Sequence, residues 1–297
     1  MSGMARREAI TFYICIFPWL IGFLVFIAYP VLRSLYLSLT HYQIGGQPIF
    51  TGLNNFNRLT QDTNFWQSFK VTVLYVLGSV PGSTVIAIGV AMLLAQKIRF
   101  VSVWRTIYFL PSVVSAVAVA VLWGYVFNPE YGLINTLLAY VGVKGPGWIS
   151  SEYWALPSLI FMSWWTIGGQ IVIYLAGLKS IPRELYEVAA IDGAGPWARF
   201  WYITIPMLSP TILFNVVLGF IGAFQVFDSP FVLTEGQGGP NRATLTYMLN
   251  LYKEAFQLGN LGFASTLAWV LFLIIMLLTA LIIRSSALWV YYESERK

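Results

Sequence analysis

The chain has 297 residues, of which 58% are hydrophobic and only 10% charged, with a formal net charge of +5. Soluble domains run at about 45–50% apolar and about 25% charged, so this composition excludes an ordinary water-soluble enzyme and points to a membrane protein. One cysteine, Cys15, and one histidine, His41, exclude an intrachain disulfide and a multi-histidine metal cage. The basic residues stand singly between apolar runs, a pattern of membrane topology and not of nucleic-acid binding.

A bilayer core about 30 Å thick needs roughly 20 apolar residues in a helix, so stretches free of Asp, Glu, Lys and Arg mark the spans. Seven are long enough: 9–32, 34–57, 71–96, 106–129, 153–178, 200–227 and 255–283. The second carries His41, Gly45-Gly46, Pro48 and Asn54-Asn55, polar groups that lipid cannot satisfy, and is rejected as a span. The prediction is an all-α polytopic fold, residues 1–297 forming a single transmembrane domain. Its six transmembrane helices are placed at roughly 11–33, 70–95, 106–128, 153–178, 203–230 and 263–284.

An even number of spans puts both termini on one side. With the N-terminus inside, eleven basic residues are cytoplasmic (Arg6, Arg7, Lys97, Arg99, Arg105, Lys179, Arg183, Arg199, Arg284, Arg296, Lys297) and six are outside (Arg33, Arg58, Lys70, Lys144, Arg242, Lys253). The positive-inside rule therefore makes both termini cytoplasmic. The first run follows Arg6-Arg7 but is longer than a signal-peptide core, and is read as a retained helix. Pro18, Pro30, Pro81 and Pro111 are expected to bend or begin helices where they sit. The outer connections, 41–68, 129–152 and 234–254, are too short to be domains. Trp66, Trp148, Tyr153, Trp154 and Tyr247 fall where an outer aromatic belt is expected.

The loop between the fourth and fifth spans reads as a helix of its own, about 182–193. Pro182 and Glu184 suit its first turn, and Gly193 with Gly195-Pro196 suits its stop. Ala189, Ala190 and Gly193 recur at i, i+1 and i+4, a nearly bare backbone surface with Glu187 beside it. A helix lying on lipid carries a Lys/Arg-rich face, whereas this one carries Glu184, Glu187 and Asp192, which favours docking to protein.

The string Glu187-Val188-Ala189-Ala190-Ile191-Asp192-Gly193, nine residues, then Ile203-Thr204-Ile205-Pro206, resembles the E-A-A-x-x-x-G-x9-I-x-L-P motif of permease subunits in bacterial ABC importers. Val188 stands for Ala and Ile205 for Leu, both still apolar. Ile181-Pro182, Leu185-Tyr186, Asp192-Gly193-Ala194-Gly195 and Gly238-Gly239-Pro240 resemble the carbohydrate-uptake branch, of the maltose permease type. The resemblance covers roughly the second helix to the C-terminus.

It implies a bacterial cytoplasmic-membrane importer of a sugar or oligosaccharide working by alternating access. Glu187, Ala190 and Gly193 are then the positions that couple to an ATPase. The implied partners are a second homologous permease, two ATPase subunits, an extracytoplasmic solute-binding protein and membrane lipid, with no nucleic acid. The chain lacks a Gly-Lys dipeptide and hence a phosphate loop, so it is expected to be no enzyme and to hold no cofactor; ATP and Mg belong to the partner ATPase.

A solute path needs groups that bond hydroxyls and stack on sugar faces. On the fifth helix Phe224, Gln225 and Asp228 fall at i, i+1 and i+4 and are expected to share a face. Positions matching them line the transport site in the resembled family. From the residues alone, Asp228 near the helix end equally suits water, and Gln225 a neighbouring helix. On the fourth helix Trp165 and Thr166 fall at family site positions, and Gln170 is added for its polarity.

A glycerol-phosphate importer of the same class would call for a cationic site, which Asp228 disfavours. An ion-coupled secondary transporter would place ionisable groups at the midplane, whereas the six interiors are charge-free. A membrane enzyme would need converging acids, and Glu184, Glu187 and Asp192 do not converge.

Overall fold

A computed structural model describes residues 3–96 and 99–291. Lys97, Arg296 and Lys297, three of the expected cytoplasmic charges, and the final residues of the chain lie outside the described residues. In chain order the α-helices are α1 (Gly3–Phe23), α2 (Tyr29–Ser38), α3 (Asn54–Gln61), α4 (Thr63–Ala95), α5 (Val101–Phe109), α6 (Ala116–Val126), α7 (Leu133–Tyr140), α8 (Ala155–Ser163) and α9 (Gly168–Ser180). They continue with α10 (Arg183–Ile191), α11 (Pro196–Arg199), α12 (Ile205–Phe224), α13 (Asp228–Leu233), α14 (Tyr247–Tyr252) and α15 (Leu261–Trp289). The departure from an all-α chain is a two-residue hairpin, β1 (Thr40–His41) antiparallel to β2 (Ile49–Phe50), with Thr40 opposite Phe50 and His41 opposite Ile49.

Four helical stretches are long and apolar enough to cross a membrane: Ile10–Ser38, Thr63–Ala95, Pro196–Leu233 and Leu261–Trp289. Two bent pairs bring the number to six if each is one span. Val101–Val113 meets Ala116–Val126 at 100°, and Ala155–Thr166 meets Gly168–Ser180 at 50°. The helices expected at 106–128 and 153–178 are thus interrupted.

The prolines explain part of this: Pro111 lies at the 100° bend and Pro30 in the first turn of α2, as expected. Pro18 and Pro81 sit inside α1 and α4 without ending them. Pro30 follows a π-helical segment, Leu24–Ala28, and Pro206 follows another, Phe200–Thr204. A proline ring collides with the carbonyl four residues earlier, here Phe26 and Tyr202, and the wider π turn moves that carbonyl aside, so the chain runs on through Ser38. Pro111 lies in a 3-10 turn, Leu110–Val113, after which Val114 is extended and the Ser115 Oγ caps α6 by accepting from the Ala118 N–H at 3.3 Å. That cap lets a new helix start at a steep angle.

The described residues divide into two compact units: Met1–Asp62 with Leu251–Phe272, and Thr63–Asn250 with Leu273–Lys297. In the first, polar side chains take up the carbonyls that α2 leaves free at its C-terminus. Buried Asn55 donates to the Ser38 carbonyl at 2.9 Å and the Thr40 carbonyl at 2.8 Å, and Thr266 also donates to Ser38. The buried Glu254 carboxylate meets Arg58 at 3.7 Å and accepts from Asn260 at 2.9 Å, while the Arg58 guanidinium lies 4.2 Å from the centre of the Phe263 ring. Removing Arg58 strips Glu254 of its cation. Arg58→Ala is therefore expected to destabilise this unit by about 1–3 kcal/mol, with Arg58→Leu/Glu254→Leu recovering most of the loss. Thermal unfolding in detergent measures both, and equal midpoints for Arg58→Ala and the parent would remove the pair from the account.

In the second unit α4 packs against α8, α9 and α12. Ala87, Ala91, Ile171, Tyr174 and Leu208 form one buried cluster, and Tyr75, Val119, Trp123, Phe127, Leu159 and Met162 another. Where lipid removes the hydrophobic drive between helices, small residues and close packing hold them together.

Candidate functional site

The cytoplasmic loop of the sequence reading forms α10, a helix of just over two turns. It starts after Pro182, whose ψ of 133° is extended, and carries Glu184 in its first turn, where the helix dipole favours an anion. It stops at Gly193, whose φ is +77°. The Ala194 N–H donates to the Ala189 carbonyl at 2.8 Å and the Gly193 N–H to the Ala190 carbonyl at 3.2 Å, the paired bonds of a left-handed helix stop. Gly193 therefore lies past the last turn. The bare strip expected from Ala189, Ala190 and Gly193 reduces to the two alanines, because the left-handed residue leaves the helical phase.

No residue of α10 is buried in the isolated chain, and only Tyr186 and Ala189 are half-buried. Glu187 and Ala190 are exposed, and Leu185, Val188 and Ile191 are 40%, 57% and 86% exposed. These apolar side chains form an exposed patch on an otherwise polar loop, the kind of surface that mediates contacts. The helix is not loose, however. The Tyr186 hydroxyl shares a 2.9 Å hydrogen bond with the buried Thr204 Oγ1, and Arg199 Nε donates to the Ala194 carbonyl at 2.7 Å. These contacts fasten α10 to α11 and to the π segment that leads into α12.

The same α12 walls a cavity of about 360 Å³ whose largely apolar wall carries several polar side chains, within the range of small-molecule sites, roughly 300–1,000 Å³. Thr166 and Gln170, expected in the solute path, both line it, joined by Tyr75, Ser79 and Ser83 from α4, Ser163 from α8 and Asn215 from α12. A neighbouring cavity of about 340 Å³ shares Tyr75, Ser163 and Thr166 and extends to Pro111, Ser112 and Ser229. Trp165 is not in either wall; its ring stands edge-to-face with Trp123, centroids 5.9 Å apart.

Phe224, Gln225 and Asp228 do not share a face. The helix ends at Phe224, Gln225 adopts φ −103° and ψ 15°, Phe227 adopts φ −135°, and α13 begins at Asp228. The Val226 carbonyl freed by the break accepts from Thr246 Oγ1 at 3.1 Å. Phe224 is buried, Gln225 and Asp228 are exposed, and none of the three borders the cavity that holds Thr166 and Gln170.

The sequence reading missed Tyr75, Ser79, Ser83, Ser163 and Asn215. A signal was present: Tyr75, Ser79 and Ser83 recur at i, i+4 and i+8 in an otherwise apolar run, one polar line along one helix face. Two of the cavity's polar atoms, Ser79 Oγ and Gln170 Oε1, are buried without a hydrogen-bond partner. Such groups cost free energy unless something pairs with them.

Comparison with known proteins gives the same class. The chain is 40% identical over 299 residues to a probable ABC transporter permease protein, YesP of Bacillus subtilis, covering 100% of this chain and 96% of the relative. It is 37% identical to the lactose transport system permease protein LacF of Rhizobium radiobacter, covering 94% and 95% of the two chains. It is 34% identical to the trehalose/maltose transport system permease protein MalF of Thermococcus litoralis, covering 94% of each. Its fold matches a chain in the crystal structure of a bacterial alginate ABC transporter in complex with alginate pentasaccharide-bound periplasmic protein, with a TM-score of 0.84 at 22% identity over 96% of both chains. The profile of the binding-protein-dependent transport system inner membrane components matches residues 83–290, over half of the sequence, and the chain belongs to that family of ABC transporter permeases.

Proposed function

We propose that this chain is the permease subunit of an ATP-driven importer that moves a sugar or oligosaccharide across the bacterial cytoplasmic membrane by alternating access. The observation that carries the reading is a mechanical one: an exposed helix, α10, is fastened through Tyr186 and Thr204 to the start of α12, and α12 walls a cavity that carries several polar side chains. Each bent pair counts as one span, giving six with both termini inside. Glu187, Ala190 and the Gly193 stop sit in a groove on a separate ATPase that holds ATP and Mg, and this chain hydrolyses nothing. Closure of the ATPase pair pushes α10, and the push reaches Asn215 and the cavity through the stiff α12. A second homologous permease supplies the other wall, and an extracytoplasmic binding protein delivers the solute. The sugar assignment draws on relatives named for lactose and for trehalose and maltose transport. Thr166 and Gln170 are the path residues with direct cavity contact; Trp165, Phe224, Gln225 and Asp228 take part from beyond its wall.

Two measurements test this. Mild-detergent purification from the native membrane is expected to bring down an ATPase with a phosphate loop and a second permease, and in that complex Glu187→Arg is expected to cut ATP-driven uptake at least tenfold. Unchanged uptake with normal assembly would sink the coupling role. Phe224→Ala/Gln225→Ala is expected to weaken uptake severalfold with assembly intact, and parental kinetics would remove both from the path.

A further inference from the structure

The cavity walled by α12 differs from a general sugar site in one respect that narrows the cargo. Its polar contributors are all hydroxyls and carboxamides, among them Tyr75, Ser79, Ser83, Thr166, Gln170 and Asn215. No Asp, Glu, Lys, Arg or His lines it or the neighbouring cavity that shares Tyr75 and Thr166. The parts of α4, α9 and α12 that wall it are equally free of charge, the nearest charged residue along α9 being Lys179, more than two turns beyond Gln170.

A hydroxyl both donates and accepts, so one sugar hydroxyl can satisfy an acceptor and a donor at once. Ser79 is 5% exposed and its Oγ is unpartnered, and the Gln170 Oε1 is a second buried acceptor without a donor. Both atoms belong to residues that line the cavity, so a solute hydroxyl that reaches either one supplies its missing partner. A phosphate, sulfonate or carboxylate offers acceptors only. It would leave Gln170 Oε1 facing an anion and would surrender its hydration to a wall without a countercharge, which is the expensive way to bury a charge. An ammonium would find acceptors but again no carboxylate.

We infer that this cavity is a station for an uncharged, polyhydroxylated solute, with Ser79 and Gln170 reading its hydroxyls and charged sugars of either sign rejected there. The inference rests on the importer reading of the cavity as part of the solute path. It separates this chain from a transporter of the same fold that imports the acidic polysaccharide alginate, because the fold leaves open what lines the path and here the lining is neutral.

The solute need not be identified to test this, because the only cysteine is Cys15. In the Cys15→Ser background, Ser79→Cys is placed in the assembled transporter in membrane vesicles and treated with three methanethiosulfonates bearing a hydroxyethyl, a sulfonatoethyl or a trimethylammonioethyl group. Ser83→Cys serves if Ser79→Cys fails to assemble. Each rate is normalised to that reagent's rate with free mercaptoethanol. The hydroxyethyl reagent is expected to react at least tenfold faster than both charged ones, and Gln170→Arg is expected to raise the sulfonate rate at least fivefold. Equal normalised rates, or a sulfonate rate indifferent to Gln170→Arg, would overturn neutral selection while leaving the path in place. No reaction with any reagent would overturn the path reading itself, and the neutral station with it.

Discussion

Gly193→Val is expected to lower ATP-driven uptake by more than tenfold, whereas Gly193→Asn retains a substantial part of it. The reason is the backbone: Gly193 holds φ +77° in the stop that ends α10. For an L-residue the left-handed conformation costs about 1–2 kcal/mol, a β-branched residue suffers most, and asparagine tolerates it best. Without the stop the Ala194-to-Ala189 bond is lost and the helix end bearing Ala190 and Ile191 has no defined place. Crowding within the chain does not enter, since a Cβ at 193 would meet nothing within 4 Å. Uptake and ATP hydrolysis by the assembled complex separate the possibilities. A valine variant with parental uptake would show that the left-handed stop does not set the docking surface. Asparagine as damaging as valine would move the cause from this backbone to contact with the partner.

Gly168→Val is expected to lower the unfolding midpoint by roughly 5–10 °C and to impair uptake, with Gly168→Ala in between. A Cβ at 168 would stand 2.6 Å from the Tyr108 carbonyl oxygen and 2.8 Å from the Phe109 Cα. Both obstacles are backbone, so no side-chain rotation relieves the clash, and α9 must move off the segment that runs into Pro111. Gly168 opens α9 directly after the bend, between Thr166 and Gln170, so that displacement shifts both residues in the cavity wall. Parental stability and uptake for the valine variant would mean that these segments do not pack so closely in the working transporter.

Both effects turn on local geometry that residue types only partly announce. The Gly193 stop was legible, because glycine after a short apolar helix and before Gly195-Pro196 is a helix ending whatever surrounds it. Its consequence for the docking face was not, since the reading carried helical phase one residue too far. The same error, on a larger scale, joined Phe224, Gln225 and Asp228 into one face. Phe-Gln-Val-Phe-Asp by itself does not end a helix, but Pro230, four residues past Val226, has no N–H for the Val226 carbonyl and its ring collides with it, a signal the reading passed over. Thr246, twenty residues from Val226, donates its hydroxyl to the freed carbonyl.

What the sequence determined by itself follows from forces that act on each segment independently. The cost of exposing charge to lipid marks the apolar runs, and the acidic, capped loop with its spacing to Ile203 and Pro206 identifies the class of importer. What only the tertiary structure decided is which side chains meet. The bend between Ala155–Thr166 and Gly168–Ser180 lies where Ser163, Thr166 and Gln170 meet residues of α4 and α12, turning the Tyr75, Ser79 and Ser83 line into part of a wall with two unpaired oxygens, Ser79 Oγ and Gln170 Oε1. Hydrogen bonding and close packing are properties of pairs brought together by folding, and a pair of residues 80 or more positions apart has no local pattern from which it can be read.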